Sequence, residues 1–235
     1  MQLKAPKDQY RNANEIDIMQ ETLPLAGARV LELGCGAAFW TRRLAEHFPI
    51  EQLVATEVDQ IQHQKNLLID DLPQVEFRSG GAEAIDLPDA SMDIVIMLKS
   101  LHHVPLELMD RALREIHRVL KPGGLAYISE PIYAGQFNEI LRLFNDEKSV
   151  REAAFQALKK AVERGDFSLQ DEIFFQSETF FRDFAEFERR ILFPSHSDHK
   201  VDTALHQQVK AAFEPYLTPQ GARFINPNRV DILKK

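Results

Sequence analysis

The sequence predicts an α/β fold, a doubly wound and mostly parallel sheet that carries a helical lid insertion. Short runs of branched apolar residues alternate with helical segments between residues 28 and 131, the pattern of parallel βαβ units joined by right-handed crossovers. This alternation stops at about residue 133, where a charged helical stretch begins. Sheets of this kind bind ligands at the carboxyl ends of their strands, near the switch in strand order.

The first half of the chain supplies the predicted strands and helices of the alternating part. Short apolar runs predict strands at residues 28–33, 53–57, 75–78, 93–98 and 125–129. Apolar residues at helical spacing predict helices at residues 39–48 and 60–70 and between residues 105 and 120. Pro49 closes the first of these helices, and the turn Lys121-Pro122-Gly123-Gly124 ends the last.

We predict a single domain, residues 1–235, with four parts. Residues 1–27 form an N-terminal cap segment, residues 28–132 the core, residues 133–176 the helical insertion or lid, and residues 177–235 the C-terminal part of the sheet with its helices. In that last part we predict a helix start at residues 177–181, a strand at 187–193, a helix at 203–216 and the final strand within 223–233.

Composition and charge exclude several classes of function. The formal net charge is -8 and no dense Lys/Arg tract is present, which disfavours binding to nucleic acid. The segment at residues 1–7 lacks the apolar stretch of a secretory signal, and no run is apolar enough to span a bilayer. Cys35 is the single cysteine, which fits a cytoplasmic protein. We therefore expect a cytoplasmic protein without nucleic-acid or membrane partners. For its oligomeric state we expect a monomer or a homodimer.

The segment Leu31-Glu32-Leu33-Gly34-Cys35-Gly36 predicts a strand that runs into a ligand-binding turn. Glycine has no Cβ, so the backbone bends tightly and comes close to a ligand, and the next helix points its N–H groups at that ligand. A Gly-x-Gly turn alone is equally consistent with a plain connection between a strand and a helix.

Two acids strengthen the ligand interpretation. Glu32 precedes the first glycine, where an unpaired buried carboxylate is costly, and it suits an ammonium group or loop amides. Glu57 ends the second strand, about twenty residues after the glycines, where an acid hydrogen-bonds the hydroxyls of a ribose. A nicotinamide enzyme also uses such an acid, but its last glycine would fall on Phe39 here. A nucleoside with a zwitterionic tail fits the acids and the turn better.

The chain resembles the class I S-adenosylmethionine-dependent methyltransferases, in particular the small-molecule, type 11-like group with a His-His-Val segment. The similar stretches are residues 30–36 with Glu57, the loop at residues 80–88, the strand from Asp93 with Leu101-His102-His103-Val104, and the turn at residues 118–124. The resemblance covers residues 28–131 and implies a Rossmann-like, seven-stranded methyltransferase fold in which residues 28–132 bind the cofactor.

The resemblance also implies roles for particular residues. S-adenosylmethionine is the implied cofactor, and the implied acceptor is an unidentified small molecule. His103 is the candidate base. An acid that often contacts the adenine in this family falls on Gly81, so the adenine depends on the backbone near Ala82 and on Glu83. The residues implied to bind the cofactor are Glu32, Gly34, Cys35, Gly36, Glu57, Val58, Gly81, Ala82, Glu83, Leu98, Lys99 and His102.

Several alternatives stay open. The chain could be a nicotinamide-dependent oxidoreductase with an atypical glycine loop, or a cofactor-binding protein without catalysis. The segment Ser195-His196-Ser197-Asp198-His199 has spacing that could bind a metal, but we interpret it as a solvated loop and predict no metal site. Six phenylalanines either dock the late helices on the sheet, which we favour, or line an acceptor pocket: Phe174, Phe175, Phe180, Phe181, Phe184 and Phe187.

Overall fold

The strands of the computed structural model cover the alternating part of the chain and its C-terminal region. The structure describes residues 1–193 and 200–235. The strands are β1 (Arg11–Asn12), β2 (Arg29–Leu33), β3 (Gln52–Glu57), β4 (Val75–Ser79), β5 (Met92–Leu98), β6 (Leu120–Pro131), β7 (Ser168–Phe181), β8 (Leu217–Thr218) and β9 (Gly221–Lys234).

Eight α-helices are present in the described residues. They are α1 (Glu15–Thr22), α2 (Phe39–His47), α3 (Gln60–Asn66), α4 (Met109–Val119), α5 (Gln136–Leu141), α6 (Lys148–Glu163), α7 (Phe184–Phe187) and α8 (Thr203–Phe213). Short 3₁₀ helices lie at Lys7–Gln9, Leu101–His103, Leu106–Leu108 and Glu214–Tyr216, and a π-helix spans Glu188–Leu192.

The sheet confirms the predicted doubly wound fold. Its order is β1-β7-β9-β6-β5-β2-β3-β4, and β8 pairs with β9. The strands β6, β5, β2, β3 and β4 are parallel, whereas β9 runs antiparallel to β6 and β7. The described residues thus form the seven expected strands and two further strands of two residues each, β1 and β8. The strand order switches between β2 and β5, which places a crevice at their carboxyl ends.

The predicted lid is helical only in its first part. Helices α5 and α6 lie within residues 133–176, but β7 begins at Ser168, so the helical prediction is wrong from there on. The helix start predicted at residues 177–181 is also wrong, because these residues continue β7. The polar residues Gln170 and Asp171 are exposed on this strand, and its pairing with β9 is irregular between Leu169 and Asp171. The first half of β7 therefore lacks the regular apolar alternation that predicts a strand.

The strand predicted at residues 187–193 is wrong as well. These residues end α7 and form the π-helix that follows it. The aromatic and branched residues of this stretch favour a strand by propensity. The Asp183 side chain, however, accepts a hydrogen bond from the Glu186 N–H and caps the helix. An Asp followed three residues later by Glu is a signal for a helix start, and it was available in the sequence.

Apolar side chains cover both faces of the sheet. Helices α4 and α6 pack on one face, where Leu113 and Leu158 are fully buried. Helices α1 and α2 pack on the other face through residues such as Met19 and Leu44. The N-terminal segment therefore belongs to the packed domain through α1. Among the described residues, no helix is both long and apolar enough to cross a membrane.

The aromatic cluster serves mainly the core. Phe181, Phe184 and Phe187 pack with Phe213 and Phe224 between β7, β9 and the late helices. Phe175 is fully buried against the opposite part of the sheet. This arrangement supports the interpretation that these rings dock the late helices on the sheet.

Candidate functional site

The turn after β2 takes the bent form that its glycines predict. Gly34 has φ +73° and Gly36 has φ +53°, both in the left-handed region that glycine adopts without strain. A Cβ at Gly34 would lie 2.8 Å from the Cβ of Ser100. The N–H groups of Gly34 and Cys35 both donate to the Thr56 carbonyl, at 3.0 and 2.9 Å. The turn is therefore fastened to the end of β3.

Glu57 holds the same turn from the end of β3. Its Oε2 accepts a hydrogen bond from the Gly36 N–H at 2.7 Å, and its Oε1 accepts one from the Asp59 N–H at 2.9 Å. The side chain is mostly buried, and the residue lines the open cleft above the turn. Glu57 thus presents a carboxylate to the cleft and shapes the glycine turn as well.

Glu32 lies deeper than the sequence suggests. It is 2% exposed, and the Thr41 hydroxyl donates a 2.6 Å hydrogen bond to its Oε2. Burial raises the pKa of Glu32 to about 7, the charge of Glu57 adds to this rise, and the Thr41 hydrogen bond opposes it. Glu32 does not line the cleft. Its hydrogen bond with Thr41 joins β2 to α2.

Cys35 contributes its backbone to the turn and keeps its thiol inside. The thiol is buried, and burial, followed by the charges of Glu32 and Glu57, raises its pKa. The Asn66 amide donates to its Sγ at 3.5 Å. A thiol in this environment stays protonated and inert.

The cleft at the carboxyl ends of β2, β3 and β5 has a volume of about 730 Å³, within the range of small-molecule sites. Nine of the thirteen predicted site residues line it: Gly34, Gly36, Glu57, Val58, Gly81, Ala82, Glu83, Lys99 and His103. Glu32, Cys35, Leu98 and His102 do not line it.

Sequence reasoning missed four wall residues after β5. These are Ser100, Val104, Pro105 and Leu108. All four lie within or directly beside the His-His-Val segment that the sequence analysis singled out. Extending that segment by a few residues on each side would have found them, since the whole exit of a parallel strand faces the crevice.

The loop after β4 brings the Glu83 carboxylate close to Gly81. A Cβ at Gly81 would lie only 2.3 Å from Glu83 Oε2. The Glu83 carboxylate therefore occupies the space that a side chain at position 81 would enter. The carboxylate of Glu83 thus lies beside position 81, where the family resemblance leads us to expect an acid.

Lys99, at the exit of β5, is held by a buried acid from the N-terminal helix. Its Nζ donates to Glu15 Oε1 at 2.5 Å. Glu15 is 2% exposed and also accepts hydrogen bonds from the Ser129 hydroxyl at 2.6 Å and the Tyr127 hydroxyl at 2.7 Å. Sequence reasoning missed Glu15, whose only local signal is an acid among the apolar residues of α1. The Lys99 amine is therefore engaged with the protein.

The two histidines after β5 occupy different environments. His102 is 4% exposed, and its Nδ1 lies 2.5 Å from Glu130 Oε2. Glu130 Oε1 accepts a further hydrogen bond from the Leu101 N–H at 3.0 Å. His103 is more exposed, and its ring centroid lies 4.1 Å from that of His102. Desolvation and the charge of His102 lower the pKa of His103, so its imidazole is neutral at neutral pH.

A second cavity of about 380 Å³ adjoins the cleft, and we call it the acceptor cavity. Lys99 and His103 line both spaces. His102, on the same 3₁₀ helix as His103, also lines it. The remaining lining residues come from β6, the insertion, β7, the π-helix and β9 and include Phe137, Asn138, Glu147, Arg151 and Asn228. The six phenylalanines considered in the sequence are not among its lining residues in the described part of the chain.

Two asparagines of this cavity have buried polar atoms without a partner in the described residues. Asn138 Oδ1 accepts a hydrogen bond from Arg151 at 3.1 Å, which leaves its Nδ2 without one. The Asn228 amide donates to Ser177 and to the Asn226 carbonyl, both at 2.9 Å, which leaves its Oδ1 without a donor. Buried unpaired polar groups are costly and call for an explanation.

The segment Ser195–His199 lies outside the described residues.

Comparisons of the sequence with known proteins match about the first half of the chain. Residues 30–124 match the family model described as a methyltransferase domain. A demethylmenaquinone methyltransferase of Lysinibacillus sphaericus is 32% identical over 120 residues, which are 48% of this chain and 49% of that protein. The chain therefore spans about half the length of this curated relative.

Solved structures share the fold over nearly the whole chain. A putative methyltransferase of Bacillus halodurans superposes with a TM-score of 0.65 at 17% identity, covering 95% of this chain and 99% of that one. The [4+2]-cyclase SpnF superposes with a TM-score of 0.57 at 22% identity, covering 94% of this chain and 78% of that one. At such identities the likeness shows the fold alone.

Proposed function

We propose that this chain is a class I S-adenosylmethionine-dependent methyltransferase and that it methylates a small molecule; the match of residues 30–124 to a methyltransferase domain and the shared fold support this. One observation carries the proposal. The cleft at the carboxyl ends of β2, β3 and β5 joins a glycine turn, the Glu57 carboxylate and the Glu83 carboxylate in one lining. A nucleoside with a zwitterionic tail needs such a set of groups.

The residues of this cleft fit S-adenosylmethionine. Gly34 packs so closely on Ser100 that an added Cβ would lie 2.8 Å from the Ser100 Cβ, and this packing with its positive φ keeps the turn bent at the edge of the cleft. We assign Glu57 to the ribose hydroxyls, the Gly34–Gly36 backbone to the amino-acid part, and Glu83 with the Ala82 backbone to the adenine. When bound, the cofactor supplies an electrophilic methyl group on its sulfonium.

The acceptor cavity supports a small polar acceptor. Polar and charged residues, among them Asn138, Glu147 and Arg151, line this cavity, and polar groups of a site gain hydrogen bonds from a ligand that carries the complementary atoms. Methyl transfer depends strongly on alignment of the two reactants, and two adjoining cavities provide it. We assign His103, which lines both spaces and is neutral, as the base that accepts the proton of the acceptor.

Calorimetry tests the cofactor assignment without knowledge of the acceptor. The full chain is titrated with S-adenosylmethionine, its demethylated product and NAD, and we expect micromolar-range binding of the first two compounds only. The Glu57→Ala variant should bind about 1–3 kcal/mol more weakly, as when a hydrogen-bonded charged group is removed. Glu51→Ala changes an exposed acid just before β3 and is the matched control. Unchanged affinity in Glu57→Ala would discredit the ribose assignment, and binding of NAD alone would favour an oxidoreductase.

A second experiment separates an enzyme from a binding protein. Metabolite extracts are incubated with the protein and a methyl-labelled cofactor, and labelled small molecules are counted. We expect a labelled product that disappears in His103→Asn while cofactor affinity persists. Labelling of none of the extracts would favour a binding protein without catalysis.

We also propose that the protein acts in the cytoplasm as a monomer or homodimer. The buried, unpaired thiol of Cys35 supports a reducing compartment, and the acidic net charge of -8 supports small molecules over nucleic acid as partners. Light scattering after size-exclusion chromatography tests the oligomeric state, and a mass above that of a dimer would contradict it.

A further inference from the structure

We propose that His102, His103 and Glu147 bind one divalent transition-metal ion in the acceptor cavity, where the ion holds an oxygen atom of the methyl acceptor. The role toward the acceptor rests on the function proposed above, whereas the metal site itself does not. Sequence spacing predicts no metal site here, because Glu147 lies in the insertion, far along the chain from the histidine pair.

The three side chains offer one ligand atom each within a small volume. These atoms all lie within 4.8 Å of one another, while ligand atoms around a tetrahedral zinc ion are about 3.4 Å apart, as follows from bond lengths near 2.1 Å. Metal binding therefore requires a small inward movement of the side chains, for which the exposed His103 ring has room. His102 and His103 stay together on the 3₁₀ helix Leu101–His103, and Glu147 immediately precedes α6.

A hydrogen bond to Glu130 holds the His102 ring in the way that the rings of metal-binding histidines are usually held. A metal-binding histidine commonly donates its other N–H to a carboxylate, which fixes the ring and its tautomer. Glu130 Oε2 accepts from His102 Nδ1 at 2.5 Å, and the Leu101 N–H anchors Glu130 at 3.0 Å. In a neutral His102 that donates from Nδ1, Nε2 is the nitrogen with the lone pair. It lies 3.8 Å from Glu147 Oε2, beyond hydrogen-bond reach.

Glu147 is likewise oriented by its neighbours. The Asn145 amide donates to its Oε1 at 2.9 Å, and Arg151 donates to its Oε2 through Nη2 at 2.6 Å and through Nε at 3.1 Å. A carboxylate has about four lone-pair positions, so these three bonds leave one position, on Oε1, for a metal ion. Ligating carboxylates are normally hydrogen-bonded in this way.

The surroundings leave open coordination positions. All three residues line the acceptor cavity of about 380 Å³, and His103 also borders the cofactor cleft. An ion here would have three protein ligands and free positions for water or acceptor oxygen, as catalytic zinc sites do. Two imidazoles and one carboxylate suit zinc, iron or manganese better than magnesium or calcium.

A metal ion would change the role of the histidine pair. A bound cation lowers the pKa of an oxygen ligand, so a metal-bound hydroxyl of the acceptor releases its proton to water and no free histidine base is needed. His103 is then a ligand of the ion. Without an ion, His103 remains the base assigned above, and the metal titration decides between these roles.

The test uses the full chain and the metal ions alone. After treatment with a chelator, the protein is titrated with Zn²⁺, Mn²⁺ and Mg²⁺ by calorimetry, and bound metal is counted by mass spectrometry after dialysis. We expect one Zn²⁺ or Mn²⁺ per chain and much weaker Mg²⁺ binding. His102→Gln and Glu147→Gln should each lower the affinity at least tenfold, and Glu130→Gln by about 10- to 100-fold.

Controls keep the result interpretable. His117→Gln changes a histidine on α4 outside the ligand set and should leave metal affinity unchanged. Circular dichroism verifies folding, and cofactor affinity is measured in wild type and in Glu147→Gln, where we expect no loss. Absence of stoichiometric binding, or equal binding in His102→Gln and Glu147→Gln, refutes the metal site. A chain that binds S-adenosylmethionine but no metal keeps the proposed function, and the converse result keeps only the metal site.

Discussion

Replacement of Glu15 by alanine should destabilise the protein more than any exposed charge change in the same helix. The Glu15 carboxylate is 2% exposed and accepts from Lys99 Nζ, the Ser129 hydroxyl and the Tyr127 hydroxyl at 2.5, 2.6 and 2.7 Å. Ser129 and Tyr127 are fully buried. The variant therefore leaves two buried hydroxyls and one half-buried ammonium without their acceptor.

The magnitude follows from the groups left behind. Removal of one partner of a buried ion pair costs about 3–5 kcal/mol, and each buried hydroxyl without a partner adds about 1–3 kcal/mol when it cannot reach water. The Lys99 side chain is 34% exposed and regains hydration, which offsets part of the sum. We expect a loss of about 4 kcal/mol, a large share of the stability of a domain of this size.

Urea unfolding followed by circular dichroism measures this loss. Glu21→Ala is the matched control, because Glu21 lies on the same helix and pairs with Arg11 at 2.5 Å on the exposed surface. Its cost should stay below about 1 kcal/mol. Glu15→Gln should fall between the two, since the amide oxygen still accepts one hydroxyl while the Lys99 charge stays unpaired. A loss below 1 kcal/mol in Glu15→Ala, or equal losses in both alanine variants, refutes the reasoning.

Two further substitutions test the turn and its buried acid. Burial raises the pKa of Glu32 to about 7 from 4.5, so the folded state holds its proton more tightly and wild-type stability falls as pH rises from 4.5 to 7, by at most about 3 kcal/mol. Glu32→Gln should lack this slope in unfolding measured across that range, and parallel pH profiles would show that the carboxylate is not responsible. Gly34→Ala places a Cβ 2.8 Å from Ser100 Cβ at φ +73°; it should lower thermal stability and weaken cofactor binding at least tenfold, whereas wild-type values in both assays would contradict the need for glycine.

The alternating half of the fold was predictable because its strands are covered on both faces. Strands of this kind read as continuous apolar runs, and the helices between them carry clear boundary signals. β7 lacks both signals. Its first half has polar, exposed residues, and its pairing with β9 depends on a segment about sixty residues later in the chain. Strand pairing over such distances leaves no local pattern in the sequence.

The candidate site likewise has residues that were predictable from local sequence signals and contacts that were not. Gly34 and Glu57 were predictable, since a glycine turn after one strand and an acid after the next are local signals. The contacts of Glu15 with Lys99 and of Glu130 with His102 were not. Each joins residues that are distant along the chain, 84 positions apart in the first pair and 28 in the second. Only the folded sheet brings them to one edge.

Position 81 shows that a comparison by sequence position alone does not reveal how the side chains of the folded loop are arranged. A comparison by position finds glycine where the family often has an acid, and it suggests a weakened adenine site. In the folded loop, the Glu83 carboxylate enters the very volume that a side chain at Gly81 would fill, since a Cβ there would meet Glu83 Oε2 at 2.3 Å. The glycine is therefore what allows Glu83 to fold back. The two positions act together, because a side chain at 81 would expel the carboxylate and glycine at 81 alone would offer none. Gly81 and Glu83 both line the cleft, so the two positions have to be considered together when the charge of its wall is inferred from the sequence.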